Sequence, residues 1–305
     1  MPLNIPDKLP AIELLKKENI FVIDSSKALQ QDIRPLKIAF LNLMPIKVTT
    51  ETDLIRVLSN SPLQIELDFI KLKSHVSKNT PIEHMKAFYI DFEQIKKQKY
   101  DGLIVTGAPI EQLNYEEVTY WDEITEIFDW AKTNVTSSFF ICWSAQAALY
   151  HYYKIPKRSL KKKMFGVFEH VVTDPYNPIF RGFDDIFYAP HSRHTEICKK
   201  DILKEAQLKI ISESADAGVY MVMAREGREF FVTGHSEYAP ETLDKEYKRD
   251  VKKGLKIDIP INYYKDDNPK NGPIVRWRSH ANLLFTNWLN YFVYQETPYN
   301  IEDIS

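Results

Sequence analysis

Cys142 stands in the stretch Ser138-Phe139-Phe140-Ile141-Cys142-Trp143-Ser144-Ala145-Gln146-Ala147, after an apolar run and before an alanine-rich one. A thiol at the junction of a buried strand and a helix stands clear of the sheet. The helix N-terminus behind it offers unpaired backbone N–H groups and partial positive charge, and both favour a thiolate. Such a thiol needs a base, and the base needs an orienting partner. His235 and Glu237, separated only by Ser236, supply those residue types. If the apolar 230–233 run continues extended through Gly234, residues two apart project to one face, which sets imidazole and carboxylate side by side with Ser236 turned away. Taken singly, an H-x-E triplet is an ordinary edge-strand feature and a free cysteine is a small buried hydrophobe. Together they point to covalent transfer through sulfur.

The segments around these residues alternate between strand-like and helix-like patterns in the first half of the chain. Residues 36–43 read as a strand, 50–58 as a helix, and 63–70 as a strand in which Ile65, Leu67 and Phe69 alternate with Glu66 and Asp68. The apolar 102–107 run ends in Gly107, 120–132 reads as a helix, and 139–142 reads as the next strand. Alternation of this kind implies a mostly parallel sheet with helices on both faces, an α/β three-layer sandwich of the flavodoxin-like type. Ligands in such sheets bind at the carboxyl ends of strands, and Gly107 and Cys142 both fall there. The second half is richer in strands, at 164–172, 218–224 and 229–233, the last two joined by the turn-like Arg225-Glu226-Gly227-Arg228. These predict an antiparallel extension of the sheet. Trp277, Ala281, Leu284, Phe285, Trp288 and Phe292 recur at helical spacing within 276–295, so a long amphipathic helix is expected to pack on the core. Residues 262–272 read as a surface loop. The expected organisation is a segment 1–35 packed on the core and one catalytic domain over 36–305.

Composition narrows the partners. The 305 residues are 44% hydrophobic and 13% aromatic, ample for a folded core, and 40 basic against 42 acidic side chains leave a net charge of −2. No whole-chain field points to nucleic acid, so small molecules are the expected ligands. The first residues lack the basic and apolar regions of a signal peptide, and no stretch approaches the roughly 20 apolar residues that span a bilayer. A cytoplasmic protein with no membrane contact is expected, its two cysteines, Cys142 and Cys198, reduced. His191 and His194, with Glu196 and Cys198 nearby, match no closed zinc spacing, and no metal is expected.

Cys142-Trp143-Ser144-Ala145-Gln146 is similar to the C-x-G-x-Q elbow of class I glutamine amidotransferases, and Gly234-His235-Ser236-Glu237 to their H-x-E element. Two further segments are Leu41-Asn42-Leu43-Met44-Pro45-Ile46-Lys47 with Thr50-Glu51, and Pro190-His191-Ser192-Arg193-His194-Thr195-Glu196. With these the chain resembles, over nearly its whole length, the homoserine O-acyltransferase family of methionine biosynthesis, the homoserine transsuccinylases. Ser144 departs from the pattern, which has glycine there.

The resemblance implies a ping-pong acyl transfer with no cofactor beyond the coenzyme A thioester as co-substrate. Cys142 would take the acyl group, His235 would act as general base, and Glu237 would orient it. The backbone N–H groups of Trp143 and of the Gly107-Ala108 turn would form the oxyanion hole. Family positions for the amino acid map to Lys163, Ser192 and Arg249, and Arg249 could clamp the homoserine carboxylate in a forked geometry. Lys47 is a further candidate near the thioester. Glu111 occupies the family's acyl-specificity position, where glycine implies succinyl and glutamate implies acetyl, so acetyl-CoA is the expected donor. The family also implies a homodimer. A glutaminase or another cysteine hydrolase on the same fold is the rival, because an elbow and an H-x-E element do not distinguish water from an alcohol as acceptor. A catalytically silent binding protein is the third reading.

Overall fold

Along the central strands apolar side chains divide between two faces with the period of two that extended backbone imposes. In Leu36–Leu41, the side chains of Leu36, Ile38 and Phe40 enter one core while Ala39 and Leu41 enter another. In Val135–Ile141, Phe139 and Ile141 take the first side and Phe140 the second. Both faces are covered, which is why these strands read as unbroken apolar runs.

The computed structural model describes residues 3–5, 9–10, 12–14, 22–24, 34–75 and 79–304. Among them the strands are β1 Leu3–Ile5, β2 Val22–Asp24, β3 Leu36–Leu41, β4 Ile65–Lys71, β5 Tyr89–Asp91, β6 Tyr100–Val105, β7 Val135–Ile141, β8 Lys157–Val172, β9 Ile186–Ile197, β10 Leu208–Ser214, β11 Gly218–Ala224 and β12 Glu229–Val232. They form one sheet in the order β2-β1-β4-β3-β6-β7-β12-β11-β10-β8-β9, with β5 beside β4. Pairing is parallel from β2 to β12 and antiparallel from β12 to β9. The helices that concern the site are α1 Lys47–Leu58, α2 Ile82–Phe88, α3 Trp121–Asn134, α4 Trp143–Tyr153, α5 Thr242–Lys252 and α6 Arg278–Asn287. Helix α6 continues as a π-helical segment, Trp288–Tyr294. Helices α1 and α6 cover one face of the sheet, and α3 and α4 cover the other.

The parallel half and the antiparallel extension agree with the sequence reading, and the terminal aromatic stripe is core. Several boundaries differ. Helix α1 opens at Lys47 rather than at residue 50, and β8 begins at Lys157 rather than at residue 164, with a register shift between Ser159 and Met164 in its pairing with β9. Strands β9 and β10 were not expected at all, because β9 places polar His191, Arg193 and Thr195 at buried positions, which hides its alternation. The stretch 262–272 runs between α5 and α6, but Tyr263 and Tyr264 within it are buried and join Phe165, Val167, Leu243 and Trp277 in a third core cluster. Among the described residues no helix is long and apolar enough to cross a membrane.

Candidate active site

Strand β7 ends at Ile141 and helix α4 begins at Trp143, so Cys142 carries the whole change of direction. Its φ of 55° and ψ of −112° lie in a region that L-residues rarely adopt. The Cys142 N–H donates to Val232 O at 2.7 Å, which ties the strained residue to β12. Ser144, where the related elbows carry glycine, does not crowd this turn. Its buried hydroxyl accepts from Ile141 N–H at 2.9 Å and lies 2.7 Å from Val105 O, to which it donates. The substitution therefore braces the elbow between the ends of β6 and β7.

His235 and Glu237 come together by another route than the sequence suggested. Strand β12 stops at Val232, and residues 235–237 lie beyond it, with a turn at 236–237, so strand alternation does not align them. The turn nevertheless sets Nδ1 of His235 2.7 Å from Oε1 of Glu237, with both side chains buried. Ser236 points elsewhere and shares a 2.6 Å hydrogen bond with the Tyr220 hydroxyl. The His235 ring stacks on Tyr238 at 4.1 Å and 13°, and the main-chain N–H of His235 donates to Pro190 O at 2.8 Å. Burial alone would pull the imidazole down, but the charges and hydrogen bonds of Cys142 and Glu237 hold it well above its ordinary value. The arrangement favours the charged imidazolium, with Nδ1 held by the Glu237 carboxylate. Behind Glu237 lies Asp53, whose carboxyl is pushed up to about 7, chiefly by burial, while Arg56 at 2.9 Å pulls it down and Glu237 pushes it further up.

The oxyanion candidates lie beside Cys142. Trp143 is the first residue of α4, so its N–H has no intrahelical acceptor. A Cβ on Gly107 would approach Cys142 Cβ to 3.2 Å and His235 Cε1 to 3.6 Å, so the glycine backbone lies directly against both side chains and a larger residue would press on Cys142. Ala108 follows, buried, its carbonyl accepting from Ile110 N–H. Half-buried Glu111 occupies the turn beyond. Its charge, with those of Glu116 and Glu117, acts on Lys157, whose ammonium burial lowers. Lys157 donates to Leu113 O and lies 4.2 Å over the Tyr115 ring, fastening the loop that carries Glu111.

Lys163, Ser192 and Arg249 converge on a residue the sequence reading missed, Glu246. Its Oε1 takes Lys163 Nζ at 2.7 Å and Arg249 Nη2 at 3.4 Å, and its Oε2 takes Ser192 Oγ at 2.9 Å. Asp250, one turn on, pairs with Arg249 Nε at 2.7 Å and with Lys163 at 3.6 Å. The i, i+3 spacing of Glu246 and Arg249 on α5 was the available signal. Glu246 also acts on the Tyr238 phenol, which burial and the surrounding anions hold well above its usual range, and Ser192 stands two residues along β9 from Pro190, whose carbonyl accepts from His235 N–H at 2.8 Å.

Lys47 is buried at the first turn of α1, its ammonium donating to Asn42 O just past the end of β3. The neighbouring Leu43 N–H donates to Thr106 Oγ1 at 2.8 Å, beside Gly107. Burial lowers the Lys47 ammonium to about 8 against the opposing pull of Glu51. Glu51 is itself enclosed, accepting from Tyr89 OH at 2.6 Å and lying 2.9 Å from His84 Nε2. Cys198 is a half-buried free thiol, and among the described residues no three potential metal-ligating side chains converge.

Residues 2–299 match the model of the homoserine O-succinyltransferase family. A homoserine O-acetyltransferase of Bacteroides thetaiotaomicron is 72% identical over 304 residues, covering 100% of both chains. Those of Acetivibrio thermocellus and Brevibacillus brevis are 58% and 57% identical, with at least 99% of each chain covered. Among solved structures, a glutamine amidotransferase from Thermotoga maritima superposes with a TM-score of 0.54 at 12% identity, covering 86% of this chain and 100% of that one. One from Methylobacillus flagellatus gives 0.52 at 10% identity, covering 85% and 95%. At that identity the likeness is one of fold.

Proposed function

Since the chain belongs to the homoserine O-succinyltransferase family, we propose that it moves an acetyl group from acetyl-CoA onto the hydroxyl of L-homoserine through a thioester on Cys142, a step of methionine biosynthesis. In the first half-reaction the Cys142 thiolate attacks the thioester carbonyl, and the oxyanion is received by the N–H groups of Trp143 and the Gly107-Ala108 turn. Loss of one such donor costs about 3 kcal/mol of barrier. The coenzyme A sulfur leaves with the proton of the His235 imidazolium. In the second half-reaction neutral His235 takes the homoserine hydroxyl proton as that oxygen attacks the acyl-enzyme, and Cys142 departs as the thiolate. Glu237 holds the ring tautomer throughout.

The observation that carries transfer to an amino alcohol, over hydrolysis, is the convergence of Lys163, Ser192 and Arg249 on Glu246, with Ser192 on the strand whose Pro190 carbonyl accepts from His235 N–H. Water needs no such cluster. Arg249 offers a fork to the homoserine carboxylate, and Glu246 offers an anion to its ammonium. Lys47, near the oxyanion turn, is the candidate contact for the thioester. No prosthetic group or metal enters this scheme, and a cytoplasmic homodimer is the working form we expect, to be read by sedimentation.

Acetyl is favoured as donor by the names of the close relatives and by Glu111. At 4 Å and an effective dielectric near 20, its carboxylate would repel the distal carboxylate of a succinyl group by about 4 kcal/mol. Lys157 offsets part of that charge. Glu111→Gly is expected to raise turnover with succinyl-CoA relative to acetyl-CoA; a preference of the unaltered enzyme for succinyl-CoA would refute the donor assignment. The transfer itself is tested by mass spectrometry after incubation with acetyl-CoA alone. An acetyl group on the Cys142 peptide, discharged by homoserine, is the expected result. An unmodified Cys142 together with ammonia release from glutamine would establish the hydrolase instead.

A further inference from the structure

The turn that carries His235 and Glu237 also carries an aromatic ring. Tyr238 N–H donates to His235 O at 3.3 Å, closing the turn over 235–238. The phenol ring then lies over the imidazole, with centroids 4.1 Å apart and planes 13° apart. The core pins this turn. His235 N–H donates to Pro190 O at 2.8 Å, Ser236 Oγ shares a 2.6 Å hydrogen bond with Tyr220 OH, and Trp277 Nε1 donates to Tyr238 O at 2.9 Å. Trp277 is itself buried in the third core cluster. The stack is therefore built into the interior.

A single hydrogen bond fixes where a ring nitrogen sits and leaves the plane of its ring undetermined. The 2.7 Å contact of His235 Nδ1 with Glu237 would allow the imidazole to turn about the line that joins them. A flat ring 4.1 Å from its face removes that freedom. The Gly107 backbone closes the Cε1 edge, since a Cβ there would come within 3.6 Å of that carbon. A base transfers protons only when its free nitrogen points at the reacting group, and a misplacement of about 1 Å can cost ~100-fold in rate.

The ring face also favours charge. A neutral aromatic ring carries the negative side of its quadrupole on its faces and attracts a cation set against them. Burial and nearby anions hold the Tyr238 phenol well above its usual range, so it stays neutral. The charged and titratable groups that face the two rings are Cys142 at the elbow, Glu237 in the turn, Asp53 from α1 and Glu246 from α5. From β9 comes His191, which lies against Gly234 and accepts from Arg193 Nε at 3.3 Å.

We propose that Tyr238 is a positioning residue for the base: its ring, stacked on the imidazole, fixes the plane of His235 and stabilises the imidazolium. It acts through His235 rather than on substrate. The proposal rests on His235 being the general base.

The test is the titration of His235 by NMR, with histidine labelled with carbon-13 at Cε1, in a Cys142→Ser background without substrates. The signal is identified by its absence in His235→Gln. Tyr238→Leu should lower the midpoint by about 0.5–1 pH unit, because the charged ring loses its aromatic face, while Tyr238→Phe should keep it within a few tenths. With Cys142 intact, Tyr238→Leu should also slow acetylation of that thiol by acetyl-CoA about 10-fold or more, read by rapid quench. An unmoved or raised midpoint in Tyr238→Leu, or an unchanged acetylation rate, overturns the proposal. So does a shift of about half a unit or more in Tyr238→Phe, which would assign the effect to the hydroxyl. If Tyr238→Leu does not fold, Tyr238→Met, unbranched and able to fill the same space, is read in its place. A parent chain that forms no acetyl adduct removes the acyl-transfer reading instead, and the midpoints still decide the role of the ring.

Discussion

At Lys47 charge and burial oppose each other, and the balance can be measured. Its ammonium falls from 10.5 to about 8 on folding, because burial outweighs the attraction of Glu51. A folded value below the unfolded one means that the charged form is the less stable in the fold. The associated stability is present above the unfolded value and is lost as pH falls through about 8. Lys47→Met is therefore expected to raise stability to denaturant at pH 7 by about 1–3 kcal/mol, with the gain vanishing near pH 10.5. The same change should slow acylation by acetyl-CoA, which separates a functional lysine from a structural one. Glu246 makes a second residue-scale case, since it accepts hydrogen bonds from Lys163, Ser192 and Arg249. Glu246→Gln should lower kcat/KM for homoserine by about 10–100-fold, the equivalent of a lost charged hydrogen bond. Formation of the acetyl adduct on Cys142 should be unchanged, and a rapid-quench comparison of the half-reactions reads the split. Cys142, His235 and Glu237 could be picked out as candidates from residue type and spacing. Glu246 could not, because nothing local distinguishes a glutamate on a polar helix from a surface residue.

The elbow is a property of β7 and α4 together. Ser144 joins their junction to β6 by accepting from Ile141 N–H and donating to Val105 O. Ser144→Ala leaves both backbone groups buried without that partner, a cost of about 1–3 kcal/mol in denaturant unfolding. It should also slow alkylation of Cys142, since the strained φ of 55° loses a brace. Full stability with unchanged alkylation would make the hydroxyl incidental. At this scale the apolar strands β3, β6 and β7 and helix α4 could be read in advance, since burial on both sides leaves runs such as 102–105 and 139–141 without polar breaks. Strand β9 could not, because the interior it faces is polar. The register shift in β8 that precedes Met164 was equally hidden, since a lysine-rich stretch reads as a solvated run.

For the molecule as a whole, the terminal helix closes one face of the sheet. Trp288 is fully buried, donates to Ser137 Oγ at 3.0 Å and packs on Phe139 at 5.5 Å. Trp288→Ala should cost about 3–5 kcal/mol in denaturant unfolding. A smaller loss would mean that α6 and its π-helical extension repack on the sheet. The sequence by itself determined the layered α/β architecture, the position of the thiol at a strand-to-helix junction and the two residues, His235 and Glu237, proposed as its base and orienter. Those features are written in short-range patterns of burial, in residue type and in spacing. Only the tertiary structure decided how His235 meets Glu237, through a turn beyond β12, and that Lys163, Ser192 and Arg249 share one carboxylate. Each of these depends on which elements lie side by side in a sheet whose neighbours, such as β7 and β12, are nearly a hundred residues apart in the chain. No local pattern encodes a contact at that separation; it exists only once the strands have paired and the interior has excluded water.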